Sequence, residues 1–300
     1  MKKKILVLHS AAYKLLLEGF TQWLQLLGYS VLGIPALTSG LKDFFYYQEA
    51  REKLSLLQLT ASDADSYIEL LQTRTGQRTG KPLTNAHINK QMQALKLFSR
   101  YIRETGRSLV AFNLKPLDVT KGKPVWLTTA EIQRLYETIP DTIIGIRDKA
   151  ILAVYYGCGL RLNEGAHIET NDIDQTAKVL HVRKGKGYKE RFVPIAQKNF
   201  EEIMLYMKGV RPQLLQETKT NAFFIDARKG RPLGKQSLYL RIKQLVRKAK
   251  LQKKVGTHTL RHSIATHLLQ SGMKLEMIQR FLGHADLDST QIYTHLLNEA

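Results

Sequence analysis

The chain has 300 residues, of which 43% are hydrophobic and 8 are prolines, so it has the composition of a folded protein of one or two domains. Lysine and arginine number 46 against 26 acidic residues, and the resulting net charge of +20 favours a polyanion such as nucleic acid as partner. The single cysteine, Cys158, excludes an intrachain disulfide and a cysteine-rich zinc cluster, and no run approaches the roughly 20 apolar residues of a membrane span.

The amino-terminal residues, MKKKILVLHSAAYKLLL, combine lysines with an apolar run, as secretory signals do. His9 and Lys14 interrupt that run, however, and no small-residue cleavage site follows it. We therefore expect a cytoplasmic protein that contacts no membrane.

The first part of the chain is predicted to be all helical. Its clearest helix covers residues 85–104, where apolar side chains recur at helical spacing on one face. The residues 73–83 before it are rich in glycine, threonine and basic side chains and are predicted to form a loop. The other predicted helices cover residues 15–27, 40–57 and 62–74.

Residues 114–124, LKPLDVTKGKP, contain two prolines, one glycine and three lysines, which is linker composition. We therefore predict an all-helical domain over residues 1–113 and a second domain over residues 125–300. Residues 1–124 carry 18 basic and 9 acidic side chains and the remainder 28 and 17, so both parts are basic. A polyanion held along both domains would explain this distribution.

The second part is predicted to be helical with a small β-sheet, which makes the whole chain mainly α with an α+β second domain. Thr128 and Glu131 have capping-box spacing ahead of a helix to about Ile139. Residues 178–182 and 191–195 are short β-prone runs, and the connection RKGKGYKE predicts a hairpin with a glycine-rich basic tip. Further helices are predicted over residues 144–156, 163–167, 197–208, 235–250, 258–270, 275–282 and 289–297.

Several side chains suited to phosphate binding or proton transfer lie in this second part. One arginine follows a pair of glycines, where the backbone can turn sharply, and one lysine lies on the hairpin tip. A histidine and an arginine at positions i and i+3 share a helix face, and a Gly-His pair precedes a tyrosine by nine residues. In chain order the candidates are Arg161, Lys186, His258, Arg261, His284 and Tyr293.

Each of these features alone has a structural explanation, such as a surface ion pair, a packed tyrosine or a solvated turn. His258 and His262 have the i, i+4 spacing of a zinc site, but Thr259 takes the place of the glutamate in H-E-x-x-H. The hairpin tip lacks the G-x-x-x-x-G-K-[ST] pattern of nucleotide-binding loops. We therefore expect neither a metal nor a nucleotide.

Three segments together resemble the tyrosine recombinases, the phage integrase family, and especially its Xer-type members. Residues 157–165, GCGLRLNEG, are similar to the first arginine box of that family, and residues 183–195, RKGKGYKERFVPI, to its lysine hairpin. Residues 258–295, HTLRHSIATHLLQSGMKLEMIQRFLGHADLDSTQIYTH, resemble its signature box. The helical residues 11–110 are similar, more loosely, to its SAM-like core-binding domain, so the resemblance covers nearly the whole chain.

The resemblance implies how the phosphate would be held. Arg161 and Arg261 would bind the two non-bridging oxygens, because guanidiniums stay charged and can donate bidentately. His284 would donate a further hydrogen bond to the same centre. Glu164 matches an acidic position of the first box and would hold the arginine or the helix start. Gly165 departs from the pattern, where a larger apolar residue is usual, and would loosen the helix locally.

The resemblance also implies the covalent chemistry. Tyr293 would be the nucleophile and form a 3′-phosphotyrosyl intermediate, with His258 as the general base that accepts the phenolic proton. Lys186 would be the general acid that protonates the departing 5′-hydroxyl. Because the ester conserves the bond energy, we expect no cofactor and no metal.

The expected protein is therefore a site-specific DNA recombinase for integration, excision, inversion or dimer resolution. It would be a two-domain DNA clamp, forming a homo-tetramer on double-stranded DNA with inverted-repeat core sites, with a paralogous recombinase as an alternative partner. It would be associated with the nucleoid of a prokaryote. Further DNA contacts are candidates at a set of basic residues, for each of which a solvated surface charge is the alternative interpretation: Lys81, Lys90, Arg100, Lys121 and Lys123.

Two other functions are compatible with the same residues. A type IB topoisomerase has the same active-site chemistry, and a DNA-binding protein with a vestigial site would retain the basic surface. The match to Xer-type boxes argues against the first, and the presence of all six candidate residues argues against the second. Relatives often carry a longer tail than the seven residues after Tyr293, so subunit contacts are expected from the short LLNEA end or from another surface.

Overall fold

The structure is a computed structural model that describes residues 6–31, 33–76, 80–119, 124–183 and 190–283. The chain divides into two compact units, Met1–Lys121 and Gly122–Ala300, and each has its own apolar core. Helices dominate both units, and the second contains a three-stranded antiparallel sheet, which confirms the mainly α prediction. None of the described helices has the length and apolar character that crossing a membrane would demand.

The described part of the first unit contains α1 (Ala11–Leu26), α2 (Ile34–Glu49), α3 (Ala61–Thr73) and α4 (Asn85–Glu104). The bounds of α4 are those predicted from its apolar spacing, and the Thr84 side chain caps its first turn by accepting from the His87 amide. Aromatic side chains fill the core between these helices, where each is fully buried: Phe20, Phe44, Phe45, Tyr67 and Phe98.

The prediction of one helix over residues 40–57 was wrong at both ends. Helix α2 begins six residues earlier, where Pro35 occupies the first turn and has no amide to leave unpaired. The chain leaves the helix after Glu49, and Glu52 adopts a φ of +59°, which helical backbone does not permit. The remaining residues form only a single 3-10 turn, Leu56–Gln58.

The beginning of the segment with linker composition is bound to α4. The Asn89 side chain makes two hydrogen bonds to the backbone of Leu117, one as donor and one as acceptor, each 2.8 Å long. The Asn85 amide donates to the Asp118 carbonyl oxygen at 2.7 Å, and Leu114 is buried in the core of the first unit. Residues 114–118 therefore belong structurally to the first unit.

The described helices of the second unit are short. They are α5 (Thr129–Glu137), α6 (Ile143–Leu152), α7 (Leu162–Ala166), α8 (Gln197–Met204), α9 (Arg211–Leu215), α10 (Lys235–Lys248), α11 (Thr257–Gln270) and α12 (Leu275–Leu282). Strand β1 (Ile173–Asp174) pairs with β2 (Val179–Val182), which pairs with β3 (Arg191–Pro194). The predicted hairpin is the β2–β3 pair, whereas the two-residue β1 was not predicted.

The core of the second unit surrounds α6 and the π-helical segment Ala153–Gly157 that continues it. Cys158, which follows this segment, is fully buried, and burial raises the pKa of its thiol to about 12. It is an inert core residue, as its apolar sequence context predicted. The segment matters for the site because it ends at the glycines that precede Arg161.

Candidate active site

Arg161 is placed by a sharp turn at the end of the π-helical segment. Gly159 adopts a φ of +61°, a conformation that favours glycine, and a side chain there would press against Leu282. Arg161 then serves as the N-cap residue of α7 in extended backbone conformation. Gly159 therefore makes the turn that the sequence predicted, whereas Gly157 leaves room for the side chain of Asn199, with which a Cβ there would clash.

Glu164 binds this arginine twice. Its carboxylate accepts from the Arg161 backbone amide at 2.8 Å and from the Arg161 guanidinium, also at 2.8 Å. The first bond caps the helix α7, and the second fixes the arginine side chain, so Glu164 has both of the roles expected of it. The carboxylate is almost completely buried, with 3% of its side chain exposed.

A second arginine, Arg191 on β3, binds the same carboxylate in a fork. Its two terminal nitrogens donate to the two oxygens of Glu164 at 3.0 and 2.9 Å. The side chain of Arg191 is itself only 9% exposed. Such a buried bidentate pair is among the strongest polar contacts that proteins make.

Arg261, on the first turns of α11, completes the cluster. Its Nη1 lies 3.9 Å from Glu164 and donates to the Gly159 carbonyl oxygen at 2.6 Å. The side chain of Arg261 is 5% exposed, whereas that of Arg161 is 23% exposed. The structure therefore brings Arg161 and Arg261, which are a hundred residues apart in sequence, around one buried carboxylate.

Burial alone would raise the pKa of Glu164, but the hydrogen bonds and positive charge of Arg191 and Arg161 outweigh it and lower the pKa to about 2. Glu164 is therefore ionised at any pH at which the protein would function. Its negative charge offsets the repulsion between the guanidiniums before any phosphate is present.

The last turn of α12 receives all three guanidiniums. Arg191 donates to the carbonyl oxygen of Phe281 at 3.1 Å, Arg261 to that of Leu282, and Arg161 to that of Gly283 at 3.0 Å. A helix end has unpaired carbonyl groups and a partial negative charge, so it attracts cations. The next residue in the chain, His284, lies outside the described residues.

His258 lies at the exposed start of α11, one turn before Arg261. Its neighbour His262 is half-buried, and burial together with the charges of His258 and Arg261 lowers the pKa of His262. The other candidates of the second unit, Lys186, His284 and Tyr293, lie outside the described residues. Within the described ranges, no three histidine, cysteine, aspartate or glutamate side chains are grouped as a metal would need.

Gly165 has a packing reason that the sequence did not reveal. The ring of Tyr155 occupies the space beside it, since a Cβ on Gly165 would lie 2.6 Å from that ring. The Tyr155 hydroxyl donates to the Leu162 carbonyl oxygen at 3.0 Å. Helix α7 is therefore packed against the tyrosine where the family pattern has a larger residue, and the local loosening of the helix by glycine stays a prediction.

The described DNA-contact candidates of the first unit are on its surface. Lys81 precedes α4, and Lys90 and Arg100 lie on its exposed side. Arg100 also binds Glu104 at 2.7 Å and stacks over the Trp23 ring at 5.8 Å. Their exposure is compatible with phosphate contacts, and Lys121 and Lys123 lie outside the described residues.

Sequence reasoning missed two features of the second unit. The first is Arg191, whose side chain is largely buried at the start of β3. In the sequence it was only one basic residue at the start of a predicted strand. The second is a basic run at the end of α10 and beyond it, before the helix that carries His258. Its members are Lys243, Arg247, Lys248, Lys250, Lys253 and Lys254.

Comparison with known proteins relates this chain to DNA recombinases. The family model described as the phage integrase family matches residues 125–300. The tyrosine recombinase XerD of Staphylococcus aureus is 36% identical over 225 residues, which cover 70% of this chain and 75% of that protein.

Two solved structures have a similar fold. The XerA recombinase is 27% identical and aligns over 96% of both chains with a TM-score of 0.53. The XerH site-specific recombinase, solved as a pre-cleavage complex with its difH substrate, is 23% identical and aligns over 97% of this chain and 84% of that one, with a TM-score of 0.73. The likeness to XerH extends over both units of the chain.

Proposed function

The chain belongs to the phage integrase family, and we propose that it is a site-specific recombinase that cleaves and rejoins DNA strands with Tyr293 as its nucleophile. The relatives that it matches are named tyrosine recombinases, and strand breakage and rejoining is the activity of that class. The alternatives of a DNA-relaxing topoisomerase and a catalytically silent DNA-binding protein are not favoured by these relatives.

The observation that carries the proposal is the convergence of Arg161 and Arg261 on Glu164 and on the last turn of α12. Two guanidiniums held side by side can bind both non-bridging oxygens of a phosphodiester. Donors that are oriented in advance stabilise the charge that develops during attack, and one such donor is worth roughly 3 kcal/mol. In this proposal His284 adds a donor from the residue after Gly283.

We propose the following covalent step, which the family resemblance implies. The Tyr293 oxygen attacks the phosphorus, its proton passes to His258, and the bond to the 5′-oxygen breaks as Lys186 protonates that oxygen. The products are a 3′-phosphotyrosyl ester and a free 5′-hydroxyl. A 5′-hydroxyl from a partner strand then attacks the ester and releases Tyr293, so each strand exchange conserves the number of phosphodiester bonds.

In this proposal the second unit carries out catalysis and the first unit binds DNA. The second unit, which the family model covers from residue 125, is the catalytic domain in this proposal. The helical first unit is the core-binding domain, with Lys81, Lys90 and Arg100 contacting phosphates, and Lys121 and Lys123 act where the chain passes between the units. The solved complex of XerH with its difH substrate supports a DNA duplex as the partner.

We extend the proposal to the assembly. Exchange between two duplexes requires four cleavages, so a homo-tetramer on two synapsed inverted-repeat sites is the expected active form. Integration, excision, inversion and dimer resolution can all use this reaction, and the genomic neighbourhood of the coding sequence would help to distinguish among them.

One experiment tests the function. The full chain is incubated with nicked suicide DNA carrying its site, and a covalent protein–DNA adduct is sought on a denaturing gel. We expect an adduct with the wild type and with the control Tyr239→Phe, and none with Tyr293→Phe. An adduct that persists in Tyr293→Phe would refute the nucleophile, and wild-type protein without any adduct would refute the enzyme.

A circular substrate with two sites separates the classes of enzyme. We expect recombinant circles from the wild type. Relaxation of a supercoiled circle without recombinant products would instead identify a topoisomerase, and site-specific DNA binding without either product would identify a silent binding protein.

A further inference from the structure

Arg191 on β3 is a buried arginine that contacts two other segments of the second unit. It starts β3, opposite Val182 of β2, so it lies at the base of the hairpin whose connecting sequence contains Lys186. From there its guanidinium reaches Glu164 with both terminal nitrogens and the Phe281 carbonyl oxygen with Nε. One side chain thus joins the lysine hairpin, the carboxylate that holds Arg161, and the last turn of α12.

The burial of Arg191 argues that it acts through other residues. Its side chain is 9% exposed, less than half the exposure of Arg161, and Nε, Nη1 and Nη2 all have protein partners. A guanidinium in this state has little surface to offer a phosphate. Its contribution to the reaction must therefore come from the positions that it imposes on its partners.

The side chain of Arg191 also packs against Gly283, so the conformation of Gly283 depends on where Arg191 lies. Gly283 has a φ of +65°, and a Cβ placed on it would lie 2.7 Å from Cδ of Arg191. The aliphatic part of Arg191 therefore fills the space beside the residue that precedes His284, while its guanidinium binds the carbonyl two residues earlier. A shift of Arg191 would move the turn that leads into His284.

We propose that Arg191 is a positioning residue that fixes the base of the lysine hairpin to the Glu164–Arg161 pair and to the last turn of α12. The inference rests on the proposed function, because it assigns Arg191 a task in the same cleavage reaction. It differs from the role of Glu164, which caps α7 and holds the guanidiniums around it, because Arg191 joins β3 both to that carboxylate and to the last turn of α12.

The test compares Arg191→Met and Arg191→Lys with the wild type in the full chain. Methionine retains much of the aliphatic packing and removes the fork, and lysine retains the charge but cannot bind two oxygens and a carbonyl in one plane. Arg241→Met is the matched control, since Arg241 also forms a bidentate pair with a buried carboxylate, that of Asp148.

Two measurements distinguish a loss of side-chain positioning in the site from a loss of folding or of DNA affinity. The first is the single-turnover rate of adduct formation with saturating suicide DNA, where a displacement of about 1 Å can lower the rate on the order of 100-fold. The second is amide hydrogen exchange without DNA in the peptides that cover residues 161–164 and 279–283. We expect a slow rate and faster exchange in Arg191→Met, intermediate values in Arg191→Lys, wild-type values in the control, and unchanged DNA affinity in all.

Several outcomes would overturn the inference. The inference fails if Arg191→Met forms the adduct at the wild-type rate. It also fails if Arg241→Met slows adduct formation equally, because that result would indicate general destabilisation. A fall in DNA affinity as large as the fall in rate would identify a phosphate contact instead. If the wild type forms no adduct, the proposed function fails, and unchanged hydrogen exchange in Arg191→Met would then separately refute the positioning role.

Discussion

Glu164→Gln is expected to lower the stability of the second unit substantially. Glutamine retains the shape of the side chain but removes the negative charge that Arg161 and Arg191 share. Breaking a buried ion pair by neutralising one partner leaves the other charge uncompensated and costs about 3–5 kcal/mol. Here the carboxylate is 3% exposed, so solvent screens the loss little.

The pKa of Glu164 gives an independent magnitude. The pKa falls from 4.5, the usual value of a glutamate, to about 2 because Arg191 and Arg161 bind the ionised carboxylate. At roughly 1.4 kcal/mol for each pH unit, this difference stabilises the folded state by about 3 kcal/mol at neutral pH. Because the pKa is lower in the folded state, this stabilisation is fully present above pH 4.5 and is lost as the pH falls through 2, with about 2 kcal/mol of it gone by pH 3.

The assay is urea unfolding of the wild type and Glu164→Gln at pH 7 and pH 3. A Trp23→Phe background leaves Trp126 as the only tryptophan, so its fluorescence reports the second unit. We expect the variant to be less stable by about 3 kcal/mol at pH 7 and by about 1 kcal/mol at pH 3. Glu169→Gln, which removes a half-exposed pair with Arg183, should cost less than about 1 kcal/mol.

Equal destabilisation by Glu164→Gln at both pH values would refute this reasoning. The loss would then come from packing or from the helix cap and not from the ionised carboxylate.

Three further effects are expected. Gly283→Ala should lower the stability by about 1–2 kcal/mol because of the positive φ, and it should slow adduct formation because the new Cβ clashes with Arg191. The control Gly272→Ala also has a positive φ but no described neighbour within reach of a Cβ, so it should lower the stability alone. Ser263→Ala removes the oxygen that accepts from the buried Leu127 amide at 2.8 Å, so denaturation should show a loss of about 1–3 kcal/mol, and a loss below about 0.5 kcal/mol would contradict it. Lys90→Ala should reduce the slope of log DNA affinity against log salt by about 1 if that amine contacts a phosphate, and an unchanged slope would exclude the contact.

Local sequence patterns predicted the elements whose stability is decided locally. Helix α4 has the predicted bounds because its apolar spacing, the Thr84 cap and Gly106 agree on them. Helix α12 likewise has the predicted bounds and ends at Gly283 in the left-handed conformation. Helix α2 was misplaced because its start depends on Pro35 and its end on a φ of +59° at Glu52, and neither leaves a periodic signal.

The candidate site was predictable only in part, for a related reason. Arg161 and Arg261 were singled out because the sequence around each matches a family pattern. Arg191 was not, since its partners Glu164 and Phe281 are 27 and 90 residues away in sequence and no local rule connects them. Strand β1 was missed because two residues are too few to show an alternation of apolar and polar side chains. The extended conformation of β1 depends on its pairing with β2.

The arrangement at the end of α12 explains how a site for an anion can be assembled before the anion arrives. Three guanidiniums brought together in a buried place would repel one another and lose solvation. Here consecutive carbonyl groups of one helix end bind Arg191, Arg261 and Arg161, and Glu164 supplies a full negative charge among them.

These fixed groups are oriented by folding and not by substrate. An arginine that is already in place need not be reorganised when charge develops on the phosphate, and this is the condition under which electrostatic stabilisation of a transition state is most effective. Arg161 is more exposed than Arg191, so in the proposed reaction Arg161 would meet the phosphate and Arg191 would hold its neighbours in place. A change at Arg191 should therefore slow the chemistry without weakening the binding of DNA, which is the reverse of what a surface lysine such as Lys90 should do.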